Sequence, residues 1–129
     1  MIVIEHLNPG TLHRNPAFSQ GTIVPAGRLL FVGEQNGVDG SGELVGPGLG
    51  EQTVQALRNV LAVLEEAGAS PEDVAKLTIY LDAAVDPNAA YAASMEVWGP
   101  RATAVTVLKV AGLGRPGALV GVEAVAALG

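Results

Sequence analysis

Four segments of the chain are apolar on both faces: 29–32 (LLFV), 77–81 (LTIYL), 104–110 (AVTVLKV) and 118–126 (ALVGVEAVA). Their β-branched content makes them strands. A strand with one face in water alternates apolar and polar residues, so a sheet built from these segments needs cover on both sides. The number of helices in the chain then decides how much of that sheet one copy can bury.

Residues 51–67 carry Val54, Leu57, Val60, Leu61 and Leu64 at helical spacing, and Gly68 suits the position just past the C-terminus. Ser70-Pro71-Glu72-Asp73 supplies a cap, a first-turn proline and two first-turn acids, which predicts a short helical turn. Asp86-Pro87 opens a second helix with Tyr91, Met95 and Trp98 on one face, and Gly99-Pro100 stops it. Upstream, 2–7 (IVIEHL) reads as a first strand and 8–15 as a loop. Residues 22–24 and 29–32 flank Pro25-Ala26-Gly27-Arg28, a turn signature that predicts a hairpin. The two closing strands, joined by 112–117 (GLGRPG), are expected to form another.

The resulting order is β-β-β-α-β-α-β-β, an α+β domain. Two helices cover one face of a mixed sheet of about six strands. Nothing remains in the chain to cover the second face. The pattern therefore predicts a homo-oligomer with a barrel-like core of packed sheets.

The 129 residues suit a single domain over 1–129, and the 49% apolar and 16% charged content is that of a folded chain. Seven Lys+Arg against 13 Asp+Glu give a net charge of −6, which disfavours nucleic acid and anionic membranes as partners. Without cysteine, disulfides, thiolate catalysis and cysteine-ligated metals are excluded. The first residues lack the pattern of a signal peptide and no apolar run reaches a membrane span, so the cytoplasm is the default location.

Gly112, Gly114 and Gly117 match G-x-G-x-x-G, but a strand follows where a dinucleotide site needs a helix N-terminus, and Pro116 lacks a backbone donor. Residues 46–50 (GPGLG) do precede a helix, yet they lack the lysine and Ser/Thr of a phosphate loop. His6 and His13 have no metal-ligand spacing. No metal and no cofactor is expected. Arg14, Arg101 and Arg115 sit in loops or at strand mouths, with Glu34, Glu43, Glu51 and Glu123 as candidate partners. Two of these flank or occupy apolar strands. Arg101 can anchor a carboxylate through its planar fork. Glu123 must be paired or line a cleft.

The stretches 15–21 (NPAFSQG), 27–35 (GRLLFVGEQ), 52–81 (QTVQALRNVLAVLEEAGASPEDVAKLTIYL) and 118–126 (ALVGVEAVA) resemble the RidA/YjgF family. The resemblance runs from about residue 8 to 126. It implies a chorismate-mutase-like α+β domain, a homotrimer with clefts between subunits, and hydrolysis of reactive imines and enamines derived from amino acids. No cofactor is needed for that chemistry.

Carried over residue by residue, the resemblance implies a partly substituted site. Phe18 stands where the family has a tyrosine, so a hydroxyl is missing. Gly33 replaces a serine, and Glu34 replaces the glycine ahead of Gln35. Asn88 matches the asparagine ahead of the second helix. Thr103 and Val105 match the family's arginine motif, but Ala102 then occupies the arginine position and Arg101 is one residue early. In a strand one step turns a side chain to the other face unless a bulge intervenes. The family's water-managing glutamate falls on Gly121, and Glu123 is the remaining glutamate on that face. The implied catalytic pair is Arg101 and Glu123, with Phe18, Gly33, Asn88, Thr103 and Gly121 lining the substrate site. Two functions stay open: a hydrolytic deaminase for small carboxylate-bearing 2-imino acids, and a non-catalytic module that binds a metabolite or a protein in the same clefts.

Overall fold

The computed structural model describes residues 3–129, so Ile2 of the expected first strand lies outside the described residues. Eight elements follow one another: β1 (Glu5–Leu7), β2 (Gly21–Ile23), β3 (Leu29–Gln35), α1 (Leu49–Glu66), β4 (Val74–Asp82), α2 (Pro87–Val97), β5 (Ala104–Val110) and β6 (Val120–Ala127). The order and the α+β class are those expected from the sequence. A 3-10 turn, Pro71–Asp73, leads into β4, with the backbone N–H of Ser70 donating to Asp73 Oδ2 at 2.9 Å.

The strands divide into a two-stranded sheet, β1-β2, and a mixed four-stranded sheet in the order β3-β6-β4-β5. Only β4 and β5 run parallel, as a crossover through α2 requires. Both expected hairpins are corrected here. β2 pairs with β1, placing Glu5 opposite Ile23, while β3 pairs with β6, placing Leu29 opposite Ala127. The turn at 25–28 therefore carries the chain from one sheet to the other. β5 and β6 are likewise not neighbours, because β4 lies between them. A Gly/Pro turn marks where a chain reverses; it does not choose the strand's partner. That choice falls to burial, which places β4 and β6 at the centre of the sheet.

Both helices pack on one face of the larger sheet. Val32, Leu77, Leu81, Val120, Val122, Ala124 and Ala126 point into a core shared with Ala56, Leu57, Val60 and Leu64 of α1. α1 begins two residues before the expected start, and its buried face includes Gln52 and Thr53 as well as the leucines. Gly68 takes φ 73° just past the helix, and its N–H donates to the Glu65 carbonyl at 3.0 Å, ending it as expected. Tyr91, Met95 and Trp98 share one face of α2 and its end, as expected, but only Trp98 of the three is buried. Ala90 and Ala93 are its buried residues, whereas Tyr91 and Met95 are exposed. Alanines permit the close approach of α2 to Gly50 of α1, where a Cβ would lie 4.0 Å from that of Ala93. Tyr91 and Met95 are thereby left at the edge of the helix layer, while Trp98 joins the core.

The other face of the larger sheet carries Phe31, Lys76, Tyr80, Thr106, Leu108, Glu123 and Val125, and among the described residues no helix is laid over it. Phe31 is 71% exposed.

Candidate functional site

The expected site residues lie on two sides of the larger sheet. On the helix side, Phe18, Asn88 and Arg101 line a cavity of about 540 Å³. Its floor is Leu77, Ile79 and Leu81 of β4 with Val105 and Val107 of β5; α2 and residues 15–18 form its walls.

Local hydrogen bonds position these walls. Asn15 Oδ1 accepts from the Ala17 N–H at 2.8 Å, a side-chain turn that holds the loop before Phe18. Ser19 then forms a bridge with Ala104, and its N–H donates to the Thr103 carbonyl at 3.3 Å. Thr103 is buried, and its backbone ties the loop to the start of β5. The His13 and Phe18 rings meet edge to face, 5.9 Å apart. Asp86 caps α2 by accepting from the Asn88 N–H at 2.9 Å, which fixes Asn88 in the first turn at the cavity.

Arg101 precedes β5 by three residues, in an irregular segment where Gly99 takes φ 75° and accepts from the Arg101 N–H at 3.0 Å. Strand alternation therefore does not govern its direction. Its guanidinium carbon lies 5.6 Å from the Trp98 ring centre, Nη1 donates to the Trp98 carbonyl, and Nε and Nη2 reach Glu72 Oε1 at 3.3 and 3.1 Å. Glu72 is 68% exposed and Arg101 33% exposed, so this pair is solvent-accessible. The Glu72 carboxyl is held below the usual range by its own backbone N–H and then by Arg101.

The opposite face carries Glu123, Gly121 and Gly33. Tyr80 Oη donates to Glu123 Oε1, and this hydrogen bond is the main reason the phenol is held above its ordinary value; burial and the charges of Glu123 and Glu34 add to it. Glu34 reaches this face through a bulge. Val32 pairs with Ala124 and Gln35 with Val122, so β3 carries one residue more than β6 between those pairs. The extra residue turns Glu34 away from the core and over Gly121, where any Cβ would overlap the Glu34 carboxylate. Asn36 Nδ2 donates to Glu34 Oε2 and to the Val120 carbonyl, each at 2.9 Å. At Gly33 a Cβ would meet open space.

Within one chain, then, Arg101 and Glu123 do not meet. Sequence reading missed Tyr80 and gave Glu34 no place beside Gly121. Tyr80 had a signal, a polar tip inside LTIYL; Glu34 had none, because a bulge is invisible to strand alternation. Among the described residues no group of His, Cys, Asp or Glu has the geometry of a metal site. No helix among them is long and apolar enough to cross a membrane.

Residues 11–128 match the family described as endoribonuclease L-PSP. A RutC family protein of Pyrococcus abyssi is 44% identical over 59 residues, 45% of this chain and 46% of that protein. A 2-iminobutanoate/2-iminopropanoate deaminase of Rattus norvegicus is 39% identical over 66 residues, 50% of this chain and 47% of that protein. The matched stretches thus span about half the length of these curated relatives. A crystal structure of a conserved Rid-family protein of unknown function, YyfB from Yersinia pestis, superposes with a TM-score of 0.86 at 32% identity, covering 97% of this chain and 98% of that one.

Proposed function

The chain belongs to the RidA/YjgF family, and on that premise we propose that its copies form a homotrimer whose intersubunit clefts bind small carboxylate-bearing molecules and hydrolyse 2-imino acids. One observation carries this reading. The groups that would hold a carboxylate and the groups that would handle protons lie on opposite faces of one sheet. They form one site only if a second copy brings its open face to the first copy's Arg101. The rat relative's name supplies the reaction class.

In that cleft Arg101 holds the substrate carboxylate through paired hydrogen bonds. Glu123, with Tyr80 and Glu34 beside it, accepts a proton from water as the oxygen attacks the imine carbon. That proton passes to nitrogen, giving a carbinolamine; the carbinolamine's hydroxyl proton then moves to the nitrogen through the same carboxylate, the C=O forms as the carbon–nitrogen bond breaks, and ammonia and a 2-oxo acid leave. No cofactor enters the balance. RNA is a poor fit despite the family's description, because the net charge is −6. A cytoplasmic location suits substrates of this kind.

The test is ammonia release from a 2-imino acid generated in situ by an amino-acid oxidase. Wild-type protein is expected to exceed the spontaneous rate, and Arg101→Ala to abolish the gain. A wild-type rate equal to the spontaneous one overturns the proposal. The second reading, a module that binds a metabolite or protein without turnover, draws on Arg101 being engaged by Glu72 and on Gly121 lacking any proton-transferring group. It predicts saturable binding with no ammonia, and no activity in Gly121→Glu.

A further inference from the structure

Glu34 is held on the open sheet face by more structure than a solvated carboxylate requires. The bulge in β3 turns it outward, and its carboxylate rests over Gly121, where no Cβ would fit. Asn36 Nδ2 fastens Oε2 at 2.9 Å and also bonds the Val120 carbonyl. Asn36 is in turn fixed from α1: Asn59 Nδ2 donates to the Asn36 and Val38 carbonyls at 3.1 and 2.9 Å, and Gln55 Nε2 donates to Asn59 Oδ1 at 2.9 Å. Glu34 is nonetheless exposed in a single chain. Exposed carboxylates ordinarily keep their rotamer freedom and contribute little. Here a bulge, a glycine and three amide side chains remove that freedom from one of them.

On this carboxylate Oε1 has no hydrogen-bond partner among the described residues. Its charge is also uncompensated. Lys76, on the same face, donates to Thr106 Oγ1 at 2.7 Å, and Arg101–Glu72 is the only salt bridge among the described residues. Glu123 is engaged differently, its Oε1 accepting from Tyr80 Oη. Residues 121 and 123 lie on one face of β6, roughly 7 Å apart along the strand. The two carboxylates thus occupy neighbouring places, each with one oxygen free. Both charges help to hold the Tyr80 phenol above its ordinary value, after its hydrogen bond to Glu123 and burial.

Hydrolysis of an imine uses two acceptors at the reacting carbon. One takes the proton of water; the other pairs the imine N–H, which a closed cleft would otherwise leave unsatisfied. We propose that Glu34 is a catalytic residue whose free oxygen accepts a hydrogen bond from the substrate's imine N–H and aims the C=N bond at the water on Glu123. This rests on the deaminase reading of the cleft. Asn36 and Gly121 are positioning residues, one gripping the carboxylate and the other leaving room for it. Glu34 itself takes no proton; it steadies the nitrogen while protons move through Glu123.

The test compares substrate and product. In Glu34→Gln, Asn36 would hold the amide oxygen and leave an NH2 group facing the imine N–H. With 2-imino acids generated in situ, this variant is expected to lower kcat/KM for ammonia release about 10- to 100-fold, and Glu34→Asp to recover part of the loss. The 2-oxo acid product has no N–H, so it should inhibit Glu34→Gln at least as well as wild type. Gly121→Ala removes no chemical group but displaces the carboxylate. It should lower kcat/KM to a similar extent alone and add nothing in the Glu34→Gln background. Sedimentation checks that each variant assembles like wild type, and Glu34→Asp keeps the charge on the face should Glu34→Gln not assemble. Wild-type release above the spontaneous rate together with full kcat/KM in Glu34→Gln overturns this proposal alone. So does a parallel loss of turnover and product binding, or additive losses in the double variant. A wild-type rate equal to the spontaneous one removes the deaminase reading, and this proposal with it.

Discussion

At the scale of single residues, two glycines show why the environment and not the residue type decides a substitution. A Cβ at Gly121 would overlap the Glu34 carboxylate, the end of a flexible side chain that can swing away. Gly121→Ala is therefore expected to cost less than about 1 kcal/mol, mostly the Asn36–Glu34 hydrogen bond. In a Glu34→Ala background that cost should vanish, because the two positions are in contact. A Cβ at Gly37 would instead lie 2.5 Å from Gln52 Cα and 2.6 Å from its carbonyl oxygen, so α1 itself must move. Gly37→Ala is expected to cost about 1–3 kcal/mol by urea unfolding, clearly more than Gly121→Ala. Equal costs would contradict this account. Tyr80 makes a prediction of sign. Its folded pKa is raised, chiefly by the hydrogen bond to Glu123. The stabilisation is thus fully present below the unfolded value of about 10 and disappears as pH rises through the folded value. In an ultraviolet titration, the tyrosine transition lost in Tyr80→Phe should lie above about 10, and it should move down in Glu123→Gln.

Among the elements, Gln52 shows how a polar side chain can set topology. It is 2% exposed on the buried face of α1. Its Oε1 accepts from the Leu119 N–H at 2.9 Å, and its Nε2 donates to the Gly117 carbonyl at 3.4 Å. Gln52 thereby fixes the loop that carries the chain past the end of β4 into β6. Gln52→Leu keeps the packing but leaves both backbone groups unpaired, and is expected to cost about 1–3 kcal/mol in urea unfolding. A neutral result would mean that the loop finds other partners. The same loop marks the limit of what the sequence discloses. Helical periodicity located α1, and the Asp86-Pro87 and Gly99-Pro100 signals bracketed α2, because those signals are local. Strand existence was legible for the same reason. Strand pairing was not: 112–117 and 25–28 look like hairpin turns, yet each leads to a strand with a different neighbour. Partner choice depends on which apolar faces find cover, a sum over residues far apart in the chain. The candidate site divides in the same way. Phe18, Asn88 and Arg101 are read from motifs and do converge on one cavity. Glu34 reaches Gly121 only through the bulge in β3, and Glu123 gains Tyr80 only through the pairing of β4 with β6.

For the whole molecule, the open sheet face is the property that most needs explaining. Phe31 is 71% exposed there beside Val125, and Leu29 and Leu108, on the two outer strands, are 43% and 44% exposed. Apolar side chains left this open beside the Tyr80–Glu123 and Lys76–Thr106 hydrogen bonds are ill suited to water, since they neither solvate well nor keep copies apart. Covering them with further copies around a closed axis would bury them and bring Glu123 toward another copy's Arg101, whereas an open array would invite uncontrolled growth. A closed assembly follows from the exposed face, and with the three copies of the proposed function the expected solution species sediments at three times the 13.1 kDa of the chain. Phe31→Glu adds a third carboxylate to a face that holds Glu34 and Glu123 against the Lys76 ammonium, and puts a charge where an apolar ring would be covered. Like charges brought together out of water oppose association strongly. This variant is expected to sediment as a folded monomer and to lose ammonia release, because each half-site is then stranded. Wild-type protein that sediments as a monomer, or a monomeric Phe31→Glu that keeps full activity, would remove the need for a second copy and with it the split-site account.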